Sequence, residues 1–321
     1  MSTNKIFKLS LLCAAMAASS AALAAYPDRT ITMIVPFAPG GNLDITARAI
    51  APALSKALGG ESVVVENKPG AGGSIGAGYV ARTKPDGYTL LVTTPNAIAV
   101  TPYMTKTPYS LKSFRAVGLV AYTPLIIDVN GKSKFKTIQD LMKYACANPG
   151  KVTVGHSGIG TTNYIGLIRL EEASNCKFSA IPYKGSGPAL VDLLGNQIDV
   201  VVDQLSSSAP QVHSGNLKAL AVMTANRVPD LPNVPTLQEA GVKGVDASTS
   251  TGLLVPEKTP DDVVNTLNKA LQKVAQDPSV RNVLGKVGSS AISSTPEKFM
   301  SMIDDESKIA GKLSAEGKLK K

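Results

Sequence analysis

The order of apolar runs along this chain admits few folds. Ile31 to Val35 is a short β-type run, followed by the turn Pro36-Phe37-Ala38-Pro39-Gly40-Gly41-Asn42 and by helical spacing from Ile45 to Leu58. Ser62 to Glu66 reads as a second strand, Ser74 to Arg82 as a helix and Tyr88 to Thr93 as a third strand. Strand, helix, strand, helix, strand is the pattern of a parallel sheet with helices on both faces. A long apolar run then extends from Val117 to Val129. It exceeds the usual strand of about 5 or 6 residues, and one strand leaving one sheet for another accounts for it. Beyond it the alternation restarts, with helices at Ile138 to Ala147, Thr162 to Ala173 and Pro188 to Leu194 and strands at Val152 to Gly155, Phe178 to Pro182, Ile198 to Val202 and Leu217 to Met223. Two like α/β units joined by strands make a two-lobed molecule with a cleft between the lobes. The pattern places the first lobe in 26–122, the second in 123–224 and a return to the first in 225–321. That return carries a short strand, Leu253 to Val255, and amphipathic helices at Pro260 to Ala275 and Pro296 to Leu313, with Thr259 and Thr295 as N-caps ahead of proline.

In such sheets ligands collect at the carboxyl ends of the strands. Gly40 and Gly41, without a Cβ, allow a tight bend and close approach. Asn42 is a good N-cap, and the helix behind it presents free N–H groups and a partial positive charge, which suits an anion. Thr94-Pro95-Asn96 leaves the third strand toward the same crevice. Gly155-His156-Ser157-Gly158-Ile159-Gly160-Thr161-Thr162 is the second lobe's counterpart: strand, glycine loop, helix start. Asp203 ends an apolar strand ahead of Gln204 and Ser206 to Ser208, and reads equally as a ligand group or as a cap.

Competing chemistries find little support. Ser157 resembles a nucleophile at a strand-to-helix elbow, but Ile159 replaces the second glycine of that motif. The chain has two histidines, His156 beside that serine and His213 on a distant helix, so a secreted serine hydrolase is the weaker alternative and His156 reads as a cleft wall or a bonded loop residue. Gly76-x-Gly78 falls inside a helix, with no acid about 20 residues on, against a dinucleotide site. No histidine or cysteine cluster points to a metal or cofactor.

The first 25 residues read as a cleaved signal: Lys5 and Lys8, an apolar run from Leu9 to Ala18, and Ala22-Leu23-Ala24 as the cleavage site. That directs the protein to the periplasm, where Cys146 and Cys176 are a candidate disulfide at one rim of the second sheet; spacing alone leaves their distance and Cβ directions open. Removing Lys5 and Lys8 from 33 basic residues against 24 acidic ones leaves a charge of about +7. With 5% aromatics and no Trp, stacking on nucleic acid is disfavoured; a positive field drawing in small anions is the better use.

Taken together, P-F-x-P-G-G-x-x-D-x-x-A-R from Pro36, E-N-K-P-G-A-G-G from Glu66, P-D-G-Y-T-L from Pro85, Asn148 to Gly150, P-Y-K-G from Pro182, Asp192 to Asp199 and P-N-V-P-T-L-Q-E-A-G from Pro232 resemble the Bug-type extracytoplasmic solute receptors of tripartite tricarboxylate transporters. The resemblance runs through essentially the whole chain after the signal. It implies a two-lobed binding fold of type II that acts as a monomer, closes on a small carboxylate without catalysis or cofactor, and delivers it to a membrane permease. It also implies ligand contacts at Phe37, Ala38, Gly40, Gly41, Asn96, Gly158, Thr161, Thr162 and Asp203, with His156, Asn163, Ser250 and Thr251 standing where the family usually carries other residues. A receptor of the same fold that presents its ligand to a signalling partner is the alternative.

Overall fold

The computed structural model describes residues 26–317 and residue 319. The expected signal peptide, 1–25, lies outside the described residues. Strand β1 (Ile31–Val35) runs parallel between β2 (Val63–Asn67) and β3 (Thr89–Thr93). The crossovers are helices α1 (Asn42–Ala57) and α2 (Ser74–Val80). Alternation along β1 divides two cores. Ile31, Met33 and Val35 meet Leu43, Ala47, Ile50 and Leu54, one face of α1. Ile34 faces the other way, toward Ala77 and Val80 of α2. Where a loop was expected after β3, two short helices follow, α3 (Pro95–Ala99) and α4 (Thr101–Met104), the first capped by the Thr94 hydroxyl.

The expected long strand is β4 (Phe114–Asn130), and it does serve both sheets. Its first part, Phe114 to Pro124, pairs antiparallel with β9 (Ser248–Pro256), which in turn joins β3. Its last part, Leu125 to Asn130, lies between β7 (Val200–Gln204) and β8 (Leu217–Val222). The second lobe then repeats the first: β5 (Thr153–His156) is parallel to β6 (Ser179–Pro182) and to β7. Its helices are α5 (Ile138–Ala147), α6 (Thr162–Ser174), α7 (Ser186–Leu194) and α8 (Leu205–His213). Cys146 at the end of α5 and Cys176 just after α6 are joined as a disulfide, with their Cα atoms 4.5 Å apart.

The return to the first lobe comes at Ser248, not at 225. Leu237, Val242, Val245 and Ala247 are buried in the second lobe's core, and Leu237 N–H bonds to the Val222 carbonyl. The return strand is also longer than expected, because its first half, Ser248-Thr249-Ser250-Thr251, carries no apolar pattern yet pairs with β4 from Ala121 to Pro124. The chain thus crosses between lobes twice, side by side, at Thr123 and Thr249.

The remaining elements are α9 (Asp261–Gln276), α10 (Pro278–Gly285), β10 (Ser290–Ala291) and α11 (Pro296–Ala315). α9 buries Val264, Leu267 and Leu271 beside α1, and α11 buries Phe299 and Ile303 on the opposite face of the sheet. Gly252 makes room for the Phe299 ring, since a Cβ there would strike it. Thr295 caps α11, as expected. Thr259 does not cap α9: its hydroxyl turns back to the Pro256 carbonyl at 2.7 Å, and the helix starts after Pro260. No helix among the described residues is long and apolar enough to cross a membrane.

Candidate functional site

The turn after β1 is braced from within. Gly40, at φ +81, takes a left-handed conformation that a side chain would strain. Its N–H donates to Asp44 Oδ2 at 3.0 Å. Asn67, at the end of β2, donates to the Phe37 carbonyl and to Asp44 Oδ1, both at 3.0 Å. Burial alone would raise the Asp44 pKa, but hydrogen bonds from Arg48, Gly40 and Asn67 outweigh it and hold the carboxyl below its usual value. Asp44 is therefore a buried carboxylate that shapes the turn while pairing at 2.9 Å with the exposed Arg48 one helical turn on.

Gly41 and not Asn42 occupies the N-cap position of α1. Asn42 begins the helix, and its side chain reaches both crossing strands and the second lobe. Its Nδ2 donates to Thr251 Oγ1 at 3.1 Å, while its Oδ1 accepts from Thr123 Oγ1 at 3.1 Å and from Ser206 Oγ at 2.7 Å.

Across the cleft, the glycine loop after β5 ends in α6. Thr161 caps it, its hydroxyl accepting from Tyr164 N–H and donating to the Gly158 carbonyl at 2.7 Å. α7 begins nearby at Ser186, after Gly185 at φ +145 and without a side-chain cap. The two lobes meet here: Ala38 N–H donates to the Lys184 carbonyl at 3.0 Å.

A cavity of about 30 Å³ lies between these helix starts, space for two or three waters. The first lobe lines it with Phe37, Gly41, Asn42, Leu43 and Thr94. The second lobe supplies Ser157, Thr161, Thr162, Asn163, Ser186 and Gln204. The lining contains no Lys, Arg, Asp or Glu. The first-turn amides of α1, α6 and α7, of 16, 13 and 9 residues, have no partner within their helices, and each helix carries the positive end of its dipole here. Such a site can hold an anion through neutral donors.

Four of the residues expected at a ligand line this cavity: Phe37, Gly41, Thr161 and Thr162. The others do not, for separate reasons. The Ala38 N–H is spent on the opposite lobe and that of Gly40 on Asp44. Asn96 lies to one side, accepting from Thr162 Oγ1 at 3.3 Å and donating to Glu306 Oε2 at 3.2 Å. Gly158, at φ +117, forms the loop, and its N–H donates to His156 Nδ1 at 3.2 Å. His156 is buried, and burial drives its pKa down to about 4; it is a neutral loop anchor stacked near Tyr164.

Asp203 sits behind the wall rather than in it. It is fully buried, and its Oδ1 accepts from Ser186 Oγ at 2.5 Å and from Asn163 Nδ2 at 3.2 Å. Burial pushes its pKa up to about 7 despite those bonds. Asn163 and Gln204 are locked together, with Gln204 Nε2 donating to Asn163 Oδ1 at 2.8 Å. Of these wall residues, Ser186 carries no sequence signal, and Asn163 and Gln204 stand beside Thr162 and Asp203 without a motif of their own.

Ser157 faces the cavity, but its hydroxyl is 3.0 Å from that of Ser186. His156 Nδ1 is occupied by Gly158, and His213 pairs with Asp230 at 3.1 Å on the surface. Neither histidine is placed as a base for Ser157.

Residues 46–319 match the family model described as the tripartite tricarboxylate transporter family receptor. Protein BugT of Bordetella pertussis is 34% identical over 284 residues, 88% of this chain and 87% of its own. Two solved structures from Rhodopseudomonas palustris share the fold closely. MatC with bound malate is 30% identical with a TM-score of 0.83, covering 90% of this chain and all of its own. Rpa4515 with adipate is 31% identical with a TM-score of 0.85, covering 90% of this chain and 98% of its own. The chain is a Bug-type member of this family of two-lobed periplasmic solute-binding receptors.

Proposed function

We propose that this protein captures a small carboxylate in the periplasm and delivers it to the membrane permease of a tripartite tricarboxylate transporter. One observation carries the reading: three helices from two lobes begin at a single cavity whose lining holds hydroxyls, amides and backbone N–H groups but no ionised side chain. A carboxylate there receives donors from both lobes at once. Because α1 belongs to one lobe and α6 and α7 to the other, the full set of donors exists only when the lobes are together. Ligand therefore stabilises the closed form by its extra contacts there, and no bond of the ligand needs to be made or broken.

The bound malate of MatC and adipate of Rpa4515 make linear dicarboxylates the first candidates. The test is thermal unfolding of the protein against a panel of mono-, di- and tricarboxylates that includes both. Ligand at about a thousand times its dissociation constant stabilises the native state by roughly 4 kcal/mol, a shift of several degrees. A selective rise with one carboxylate class is expected. A flat response across the panel, from folded protein freed of carried-over ligand, would remove the carboxylate from the proposal.

A further inference from the structure

Behind the cleft wall lies a second polar cluster that ligand contacts do not explain. Asp128 is on β4 and Asp203 on β7, two adjacent antiparallel strands in which Asp128 pairs with Val201 and Ile126 with Asp203. Both carboxyls are thus on one face of the sheet, diagonal to each other, beneath the first turns of α8. Both residues are fully buried. Neither oxygen of Asp128, nor Asp203 Oδ2, nor the hydroxyls of Ser207 and Ser208 makes a hydrogen bond of normal geometry. Ser208 faces Asp128, Ser207 faces Asp203, and the two carboxyls act on each other electrostatically. Two buried carboxylates this close cannot both remain ionised without a compensating cation.

The surrounding elements offer none. α6 presents Asn163, α7 presents Ser186, and α8 presents Ser207 and Ser208. On β5, His156 is held neutral by burial; His213, at the far end of α8, is engaged with Asp230 on the surface. Asp192 of α7 is turned away to the Tyr183 hydroxyl. No salt bridge among the described residues involves Asp128 or Asp203.

We propose that Asp128 and Asp203 form a proton-binding site in the rear wall of the cleft, so that capture of an anion is accompanied by uptake of a proton. This rests on the carboxylate-receptor reading above and deepens it. The link is Ser186. While Asp203 is ionised, the Ser186 hydrogen is spent on Asp203 Oδ1, and the serine turns only lone pairs to the cavity, which repel an anion. When Asp203 is protonated, its O–H donates to Ser186 Oγ, and the serine hydrogen is released toward the cavity or toward Ser157. The incoming anion also adds a negative charge beside Asp203, which favours the protonated form. Proton and anion therefore bind with positive coupling, and each must raise the affinity for the other by the same factor.

The experiment has a ligand-free arm and a ligand arm. In the first, protein labelled at the aspartate carboxyl carbons is titrated by carbon NMR, with the two signals assigned from D128N and D203N. At least one of the pair should remain protonated at pH 7, and finding both ionised at pH 6 would overturn the proton site. In the second, calorimetry with malate and with adipate at pH 8, in buffers of different ionisation enthalpy, counts protons. Wild type should take up as much as one proton per anion, and affinity should fall up to tenfold per pH unit above neutrality. Binding with no proton uptake would overturn the coupling, and the double variant D128N/D203N should show none. Failure of both anions to bind at any pH from 5 to 8 would overturn the coupling to dicarboxylate capture, while the wider carboxylate panel separately tests the receptor reading and the NMR arm still decides whether the pair holds a proton.

Discussion

Asn42 shows how one side chain ties the cleft to the crossing strands. It lines the cavity, and its amide joins Thr251 on one crossing strand, Thr123 on the other and Ser206 at the start of α8. Asn42→Ala would leave three buried hydroxyls each short of a partner. A buried polar group left unsatisfied costs about 1–3 kcal/mol, so urea unfolding should show a loss of at least that size, and an unchanged midpoint would mean these bonds add nothing net. Asp203 makes a second prediction at this scale, with the opposite logic. Its folded pKa of about 7 lies above the ordinary value of 3.8, so the folded state holds the proton more tightly than the unfolded one. Its contribution to stability is therefore greatest below pH 4, declines by roughly 1.4 kcal/mol per pH unit as pH rises toward 7, and is flat above. Denaturant melts of wild type and D203N between pH 5 and 7 should differ in slope by that amount, and parallel curves would contradict it.

Among the elements, α5 and α6 are joined covalently as well as by packing. The Cys146–Cys176 bridge spans a separation of 30 residues, and closing a loop of that size is worth about 3.6 kcal/mol on the chain-entropy model. Reduction, or Cys146→Ser with Cys176→Ser, should lower the melting temperature by several degrees while leaving ligand affinity intact, since neither sulfur approaches the cavity. Why some elements could be read from sequence and others could not follows from the same packing. The parallel strands and α1 announce themselves because one or both of their faces are buried, which imprints a period on the sequence. The first half of β9 has no such imprint: Ser248 to Thr251 is polar throughout, held by its ladder with β4 and by Asn42. Residues 225–247 fold without regular elements, so nothing in them marks which lobe they join. The site divides in the same way. Phe37, Gly41, Thr161 and Thr162 sit on strand-to-helix turns whose chemistry is local, whereas Asn163, Ser186 and Gln204 come from three elements that only tertiary structure brings together. Asp128 stands in an apolar strand where no pattern explains a carboxylate, and its meaning depends on Asp203 one strand away.

At the scale of the whole molecule, the two lobes meet backbone to backbone. Ala38 bonds to Lys184, Gly185 lies against Ala38, and Gly187 in the first turn of α7 lies against the Pro39 carbonyl. At the other end of the interface Gly72 meets the Ile159 carbonyl and Gly160 meets Thr101. Bare backbone at these places lets the helix starts come close enough to line one cavity. Gly187→Ala separates closure from folding. Its backbone conformation is open to any residue, and alanine is the better helix former by up to about 1 kcal/mol, so the lobe itself should be no less stable. The added Cβ, however, would strike the Pro39 carbonyl in the closed form, and only parting the lobes relieves that. The variant should melt at or above the wild-type temperature without ligand, yet lose tenfold or more in affinity, about 1.4 kcal/mol. Its radius of gyration in solution scattering should shrink less than that of wild type when the carboxylate is added. Gly285→Ala is the control, since a Cβ there meets nothing within 4 Å. Wild-type affinity in Gly187→Ala would mean that the ligand is held without the lobes coming together here, and the shared-cavity account of binding would fail.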